Sequence, residues 1–585
     1  MPTGTNPHLH LEWCQADRKP LLLATFDPAG ADHSGTTSAD GITFTWSVRH
    51  DGQGQRISAE AAVDKPLVRC GYLQLRWQAP GAPLWSFDGP ISKTTCLRQS
   101  PRNPAIHAMR FPIQSAPLAA IEQHGELLAL CGHCPERDDN ASTQYFDPAT
   151  GSATIASGDA GINSDPEQHQ QFAPSYHQVW HGHPSRFEAV LFRCAADQRA
   201  LRLATYRAVA ACWGSDTSSD GGAFADLCFA LNHLLLRRNE TGMSQRWVAA
   251  GICYANKQYA RDGFWQAWVL SPDDDHECYR GLSPDRFTSA ENPLIKLIWA
   301  GRLQRRGCQV VVDDALRAAL KLLETGLDQA GAFRSVSGTG RGDFRSWYDL
   351  CAFTDSDVVT YNQGLAAVAL RVASELGLQP STDHRRAAAA YRAQFDDSLQ
   401  AFPLSAEKRA FAVDALAGDL LSWCLWGEGL LEPEQVAAHY RFLDTKARTE
   451  HGYRVTCAAD GSVLPGEFYS IAGHHSHCER ASAGSYQRGG SWLLYDLLCL
   501  LSCCAHQIPG AHEALLWRLG LDLECSATLN EHLNTETGAA CKPNQGWNAM
   551  VVPAWAELAA HGRVPADGLR RLDALCQPPA AVASR

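Results

Sequence analysis

Apolar positions change their period once along this chain, near residue 195. Before that point they alternate with polar or small residues: Ile42, Phe44, Trp46 and Val48 form one such run, and Leu73, Leu75 and Trp77 form another, interleaved with Gln74 and Arg76. A period of two marks half-buried strands. Turn-forming stretches separate the runs: 51–55 (DGQGQ), 79–83 (APGAP) and 147–151 (DPATG). Many short strands of this kind predict a β-sandwich. After residue 195 the spacing becomes helical. Leu316, Ala319, Leu320 and Leu323 make one stripe, closed by Gly326; Leu365, Val368, Ala369, Val372 and Leu376 make a second, closed by Gly377. A glycine just past the last apolar position is a helix-stop signal.

About a dozen helices are predicted between 197 and 577, several as close pairs: 290–306 with 311–326, 360–376 with 382–398, 409–426 with 433–444, and 486–505 with 511–526. No unit repeats at the sequence level, which argues against a solenoid. Paired helices in this number can instead close into a ring of six hairpins, an (α/α)6 toroid, with the loops converging at one end. The expected organisation is therefore multidomain β + α: an N-terminal β-sandwich over 1–195, a helical connection over 196–221, and a toroid over 222–585. The long connections 328–356, 446–485 and 527–545 stand out, because long loops in a compact domain are usually functional.

Composition narrows the partners. Hydrophobic residues make up 45% and charged residues 19%, which describes a globular chain. A net charge of −12 argues against a nucleic-acid binder. No stretch approaches the roughly 18–20 apolar residues of a membrane span, and the N-terminus lacks the basic and apolar runs of a signal peptide. The 21 cysteines are odd in number, scattered, and in places embedded in apolar helix, as at Cys499, Cys503 and Cys504; they read as reduced thiols in a cytoplasmic protein. The 17 tryptophans either build core or offer flat faces to sugar rings.

Four segments carry candidate chemistry. In 254–268 (YANKQYARDGFWQAW), Arg261, Asp262 and Trp265 open a helix, where Asp262 is either a helix-start charge or a functional carboxylate. In 342–364, Asp343, Asp349, Asp355 and Asp357 share an aromatic loop with Trp347 and Tyr348. Asp355 or Asp357 suits an N-cap, whereas Asp349, beside two aromatics, suits a general acid with a raised pKa. In 484–496 (GSYQRGGSWLLYD), Gly489 and Gly490 permit close backbone approach between Tyr486 and Trp492, to a ligand or to a neighbouring helix. In 529–550, Glu531 and Glu536 precede Gln545, Gly546 and Trp547, and Glu536 fits a solvated loop acid better than Glu531 does. Three other signals carry less weight. The CGHC at 131–134 copies a redox motif but lies in β territory. The HHSHC at 474–478 is too crowded for one metal ion. The acidic run 273–275 reads as a solvated loop. No cofactor or metal is expected.

The succession ARDGFW, SWYD…TYNQGL, GSYQRGGSW and NEHLNTETG…NQGW resembles the six-hairpin glycosidases, glycoside hydrolase family 63 with its glycogen-debranching and trehalase-type relatives, over about residues 220–565. The SWYD form is more similar to the debranching-type members. The resemblance implies an inverting, exo-acting, α-glucosidase-like enzyme on an oligosaccharide or small glycoside. Asp349 would be the general acid, with Asp343 its competitor. Glu531 would be the base that activates water, and the two carboxyls would stand about 6.5–9.5 Å apart. Asp262 would grip hydroxyls of the sugar whose bond is cut. Arg261, Trp265, Trp347, Tyr348, Tyr486, Trp492, Gln545 and Trp547 would line that subsite. Isomerases, phosphorylases, rhamnosidases and lyases share the ring fold, and a glycan-binding protein without activity is a further alternative. A phosphorylase would replace the base by cations; an epimerase would need a histidine pair, for which His474, His475 and His477 are the candidates.

Overall fold

The computed structural model describes residues 7–14, 20–27, 30–51, 54–63, 69–87, 89–91, 118–133, 143–147, 150–156, 177–179, 185–213, 222–234, 236–238, 246–248, 259–282, 289–334, 345–348, 350–351, 353–469, 482–541 and 545–577. Its contacts divide the chain into two units, Met1–Lys257 with Cys576–Arg585, and Gln258–Leu575.

The first unit is built on antiparallel strands: β1 (His8–Cys14), β2 (Leu21–Phe26), β3 (His33–Ala39), β4 (Ile42–Asp51), β5 (Gly54–Val63), β6 (Arg69–Gln78), β7 (Leu84–Ser86), β8 (Gly89–Pro90), β9 (Leu118–Gln123), β10 (Glu126–His133), β11 (Thr143–Asp147), β12 (Ser152–Ala156), β13 (His177–Val179) and β14 (Ser185–Ala195). One sheet runs β11-β12-β6-β1-β2, with β13 also on β6; the other runs β3-β4-β5-β14-β10-β9-β7-β8. Inward residues of both sheets share one apolar cluster. Leu11, Trp13, Leu75 and Trp77 come from the first sheet, and Phe44, Ile57, Leu130 and Phe187 from the second. The Trp13 and Phe44 rings meet at 5.5 Å. Gln74, expected on a polar face, is buried as well, donating to Glu12 at 2.6 Å while Arg76 pairs with the same carboxylate. Cys131 lies inside β10, an antiparallel strand between β9 and β14, and burial pushes its thiol pKa up. That is the opposite of an activated redox thiol; Cys134 lies outside the described residues.

The strand-to-helix change falls where the period predicts, between β14 and α1 (Gln198–Trp213). However, α1 packs on β14 and β10 and on α2 (Gly222–His233), so 196–257 groups with the strands. The first unit thus takes in α1 and α2 and runs to Lys257.

The second unit contains α3 (Ala260–Gln266), α4 (Pro272–Arg280), α5 (Asn292–Arg305), α6 (Asp314–Gly326), α7 (Thr360–Glu375), α8 (His384–Arg392), α9 (Ala417–Trp426), α10 (Pro433–Phe442), α11 (Leu493–Ala505), α12 (Ala511–Ser526) and α13 (Val551–Ala560). The odd-numbered helices pack in succession: α3 on α5, α5 on α7, α7 on α9, α9 on α11 and α11 on α13. The turn 546–550 before α13 then returns to α3. The even-numbered helices back this series: α4 and α6 lie on α5, α8 on α7, and α10 and α12 on α11. Burial follows position. α11 is buried along its whole length and α5 over Asn292–Leu303, whereas α6 buries one stripe, Leu316, Ala319, Leu320 and Leu323. α7 and α9 touch through glycines: a Cβ on Gly418 would stand 2.4 Å from the Cα of Gly364.

Two local expectations are corrected. Gly326 ends α6 not by a left-handed turn but by close approach, since a Cβ there would stand 2.5 Å from the Phe333 ring. Gly377 does adopt positive φ after α7. The acidic run 273–275 is the first turn of α4 and not a solvated loop. Its last member, Asp275, is fully buried and accepts from Trp299 Nε1 at 2.7 Å, Arg302 at 2.6 Å and Arg306 at 2.5 Å. Among the described residues no helix is long and apolar enough to cross a membrane. Asp275→Ala leaves two guanidiniums unpaired at a buried site and is expected to destabilise the second unit by about 3–5 kcal/mol; urea unfolding followed by tryptophan fluorescence reads this as a lowered midpoint.

Candidate active site

The side chains of interest gather where the odd-numbered helices begin. Asp262 lies in the first turn of α3, Glu291 directly precedes α5, and Tyr361 lies in the first turn of α7. Asp414 lies in the 3-10 turn leading into α9, Tyr495 in the first turn of α11, and Trp547 in the turn leading into α13. Helix starts carry partial positive charge and favour carboxylates.

Arg261 is the hub on one side. It donates to Glu291 Oε1 at 3.0 Å and to Asp262 Oδ2 at 3.3 Å, and its guanidinium lies 5.7 Å from the Trp547 ring centre. Asp262 is buried, so its pKa rises to about 6; Arg261 opposes the rise, while the neighbouring Glu291 and Glu531 add to it. Burial likewise raises Glu291, against Arg261 and Ser289. Asp262 is therefore more than a helix-start charge: it belongs to a group of interacting buried acids.

On the other side, Asp414 accepts from Trp347 Nε1 at 2.6 Å and from Tyr348 Oη at 2.7 Å. Burial lifts its pKa to about 7 despite both bonds. The Trp347 ring stacks on Tyr495 at 3.7 Å and meets Trp492 at 5.3 Å. The Gln487 carboxamide bridges the same loop, donating to Trp347 O at 3.0 Å and accepting from Leu350 N at 2.9 Å. Asp349 and Asp343 themselves, like 474–478, lie outside the described residues. Asp355 and Asp357 do not cap α7, whose N-cap is Val359. Asp355 pairs with Arg345, and Asp357 ties Thr354 to Ser405.

Glu531 is buried at the head of a three-stranded ribbon. Strand 491–492 pairs with 532–533, which pairs with 540–541, setting Trp492 opposite His532 and His532 opposite Cys541. Leu493 N donates to Glu531 O at 3.3 Å. Trp492 meets His532 at 5.4 Å and Tyr486 at 4.9 Å. Gly490 is required here: a Cβ would lie 2.4 Å from Tyr486 O, so the close approach is to the loop's own backbone. Glu536 is exposed and pairs with Arg454 at 2.9 Å. Behind the ribbon, buried Arg518 joins Asp496 at 2.6 Å, Asp522 and Ser491, and Asp522 holds Asn530 N at 2.9 Å. Tyr495 Oη, Trp492 Nε1, Trp547 Nε1 and both amide atoms of Gln545 are buried without a hydrogen-bond partner among the described residues.

The structure thus assembles Arg261, Asp262, Trp347, Tyr348, Tyr486, Trp492, Glu531 and Trp547 through direct contacts and mutual electrostatic influence. Trp265 is buried beside them in α3, against Phe264 and Trp268, and Gln545 is fixed by its N–H to Leu529 O at 2.8 Å. Glu291, Asp414, Tyr495 and His532 were not anticipated. Asp414 had a visible signal, a lone carboxylate within the apolar run AFAVDALAG.

The sequence matches no protein-family model and no curated protein. Among solved structures the chain is similar to a bacterial glucoamylase complexed with acarbose, at 9% identity over 96% of this chain and 90% of that one, TM-score 0.37. It is also similar to a glycoside hydrolase family 63 mannosylglycerate hydrolase from Thermus thermophilus, at 11% identity over 57% and 100%, TM-score 0.35. A wild-type glycosidase matches at 14% identity over 59% and 98%, TM-score 0.40. At these scores the likeness supports no reading of activity.

Tryptophan emission is expected to titrate with a midpoint near pH 7, because the Trp347 indole donates to Asp414, whose pKa is about 7. Asp414→Asn should abolish that transition; an unchanged titration in the variant would assign it elsewhere.

Proposed function

We propose that this chain is an inverting glycoside hydrolase, exo-acting and α-glucosidase-like, with Asp349 as general acid and Glu531 as general base. The observation that carries the reading is the group of buried acids around Asp262. Glu291 and Glu531 both act on Asp262, and Arg261, which pairs with Asp262 and Glu291, is the guanidinium among them. A non-catalytic binding protein gains nothing from burying repelling carboxylates, whereas glycoside hydrolysis needs one carboxyl protonated and another ionised. The orphaned donors and acceptors of Tyr495, Trp492, Trp547 and Gln545 suit hydroxyl-rich ligands, and the aromatic faces suit the apolar side of a sugar ring.

In this reading Asp262 and Arg261 hold hydroxyls of the reacting sugar, with Trp265, Trp347, Tyr348, Tyr486, Trp492, Gln545 and Trp547 around them. Asp349 protonates the leaving oxygen while Glu531 takes a proton from water attacking the opposite face. The succession of odd-numbered helices is read as the inner ring of an (α/α)6 toroid and the two sheets as a β-sandwich. Cys131, Cys424, Cys457, Cys499 and Cys503 are buried free thiols, which suits a reducing, cytoplasmic setting.

A screen of aryl glycosides and disaccharides, with NMR of the first-formed sugar, is expected to show the inverted anomer; a retained anomer sinks the two-carboxylate water mechanism. Glu531→Gln and Asp349→Asn should each lower kcat by about 10²–10⁴-fold, the usual contribution of a positioned acid or base. Asp343→Asn should be the milder lesion. Ligand binding without any turnover in the unaltered protein would favour the glycan-binding alternative.

A further inference from the structure

His532 follows Glu531 directly and has no part in the mechanism above. Its imidazole is buried, with Nδ1 3.4 Å from Glu531 Oε2. Three surroundings fix it. Its strand partner across the ribbon is Trp492, whose ring it stacks on at 5.4 Å and 20°. Tyr486 closes edge-on at 5.7 Å. Cys541 stands opposite on the third strand and hydrogen-bonds the ring. The titratable groups facing the imidazole are thus Glu531, which directly precedes its strand, Cys541 on the next strand, and Tyr486 of the 484–492 segment, which also contributes the Trp492 ring.

We propose that His532 is the positioning residue of the Glu531 base: its ring, held flat against Trp492 with Nδ1 beside Glu531 Oε2, keeps that carboxylate ionised. The proposal rests on the reading of Glu531 as base. The physical logic is reciprocal. Burial alone would lower the histidine's pKa, but its contacts with Cys541 and Glu531 raise it to about 9, so the ring is cationic at neutral pH. A cation at that distance stabilises the carboxylate by the same energy with which the carboxylate stabilises the cation. The imidazolium therefore offsets the acidic neighbourhood, in which Glu531 and Asp262 each disfavour the other's charge. Without it, Glu531 would take up a proton at higher pH and lose its function as base on the acid side of the optimum.

The test compares pH profiles of kcat/KM for the aryl glycoside turned over in the screen, using wild type, His532→Phe and His532→Asn. Phenylalanine keeps a ring against Trp492 and removes the charge; asparagine keeps a polar group and removes both ring and charge. The acidic limb is expected to move up by about one pH unit, a tenfold loss below it, with activity on the alkaline side within about twofold of wild type. A limb that stays in place in both variants, or a loss equal at every pH, overturns the proposal. A second measurement needs no histidine variant. In the full-length protein with ¹³C-labelled histidine, one imidazole should titrate at least about one unit lower in Glu531→Gln than in wild type; if no imidazole titration changes, the pairing is refuted. A Glu531→Gln protein that still hydrolyses overturns the base reading itself, and this inference with it. An inactive Glu531→Gln with unmoved limbs in the His532 variants overturns this inference alone.

Discussion

Arg261 lies between two buried carboxylates, Asp262 and Glu291, with Glu531 close enough to raise Asp262 further. One guanidinium cannot neutralise that group, and a carboxylate away from water gives up its charge sooner than remain unpaired. The site is therefore forced to hold protons near neutral pH: Asp262 rises to about 6 and Asp414 to about 7. Helix starts moderate the strain by presenting partial positive charge to Asp262, Glu291 and Asp414. Poised carboxyls are thus a consequence of where the chain places them, and any chemistry the protein performs must start from that condition.

Such a site depends on a frame that does not yield. The α7–α9 contact has almost no adjustable volume, because Gly364 and Gly418 bring the two backbones together. The Glu531 ribbon is backed by Arg518, which no solvent reaches. Its partners Asp496 and Asp522 tie Ser491, next to Trp492, and Asn530, next to Glu531, to helices α11 and α12. Burial lifts Asp496 to about 6 against Arg518, so this ionic backing is itself costly. Its return is precision: a base serves only when held within a fraction of an ångström of its working geometry.

The sequence made three of the four expected helix pairs, the change of period near residue 195 and most site segments legible, because each depends on local spacing; α10, expected on α9, lies mainly on α11. What it hid depends on distant partners. Asp275 looked like part of a solvated acidic run because its arginines lie at 302 and 306, a helix away. Asp414 drew no notice within its apolar run, since the indole and phenol that justify its burial come from 347 and 348. Gly326 read as a helix stop, but its reason is the Phe333 ring seven residues on. Glu291 carried no motif, and His532, though inside NEHLNTETG, carried no role; each gains meaning only once Arg261 and Glu531 stand beside it.

The same dependence on neighbours bears on the proposed acid, Asp349. A general acid must be fixed relative to the leaving oxygen, so its own chain neighbours must be fixed first. The described residues on either side of position 349 are held in this way. Trp347 and Tyr348 are gripped by Asp414, and Gln487 spans Trp347 O and Leu350 N, reaching across from the segment that also carries Trp492. Through Trp492 and its ladder to His532, that segment is continuous with Glu531. The described neighbours of the proposed acid and the proposed base Glu531 thus hang from one connected set of hydrogen bonds and stacked rings, so a shift at Asp414 or Gln487 is felt at the Glu531 ribbon.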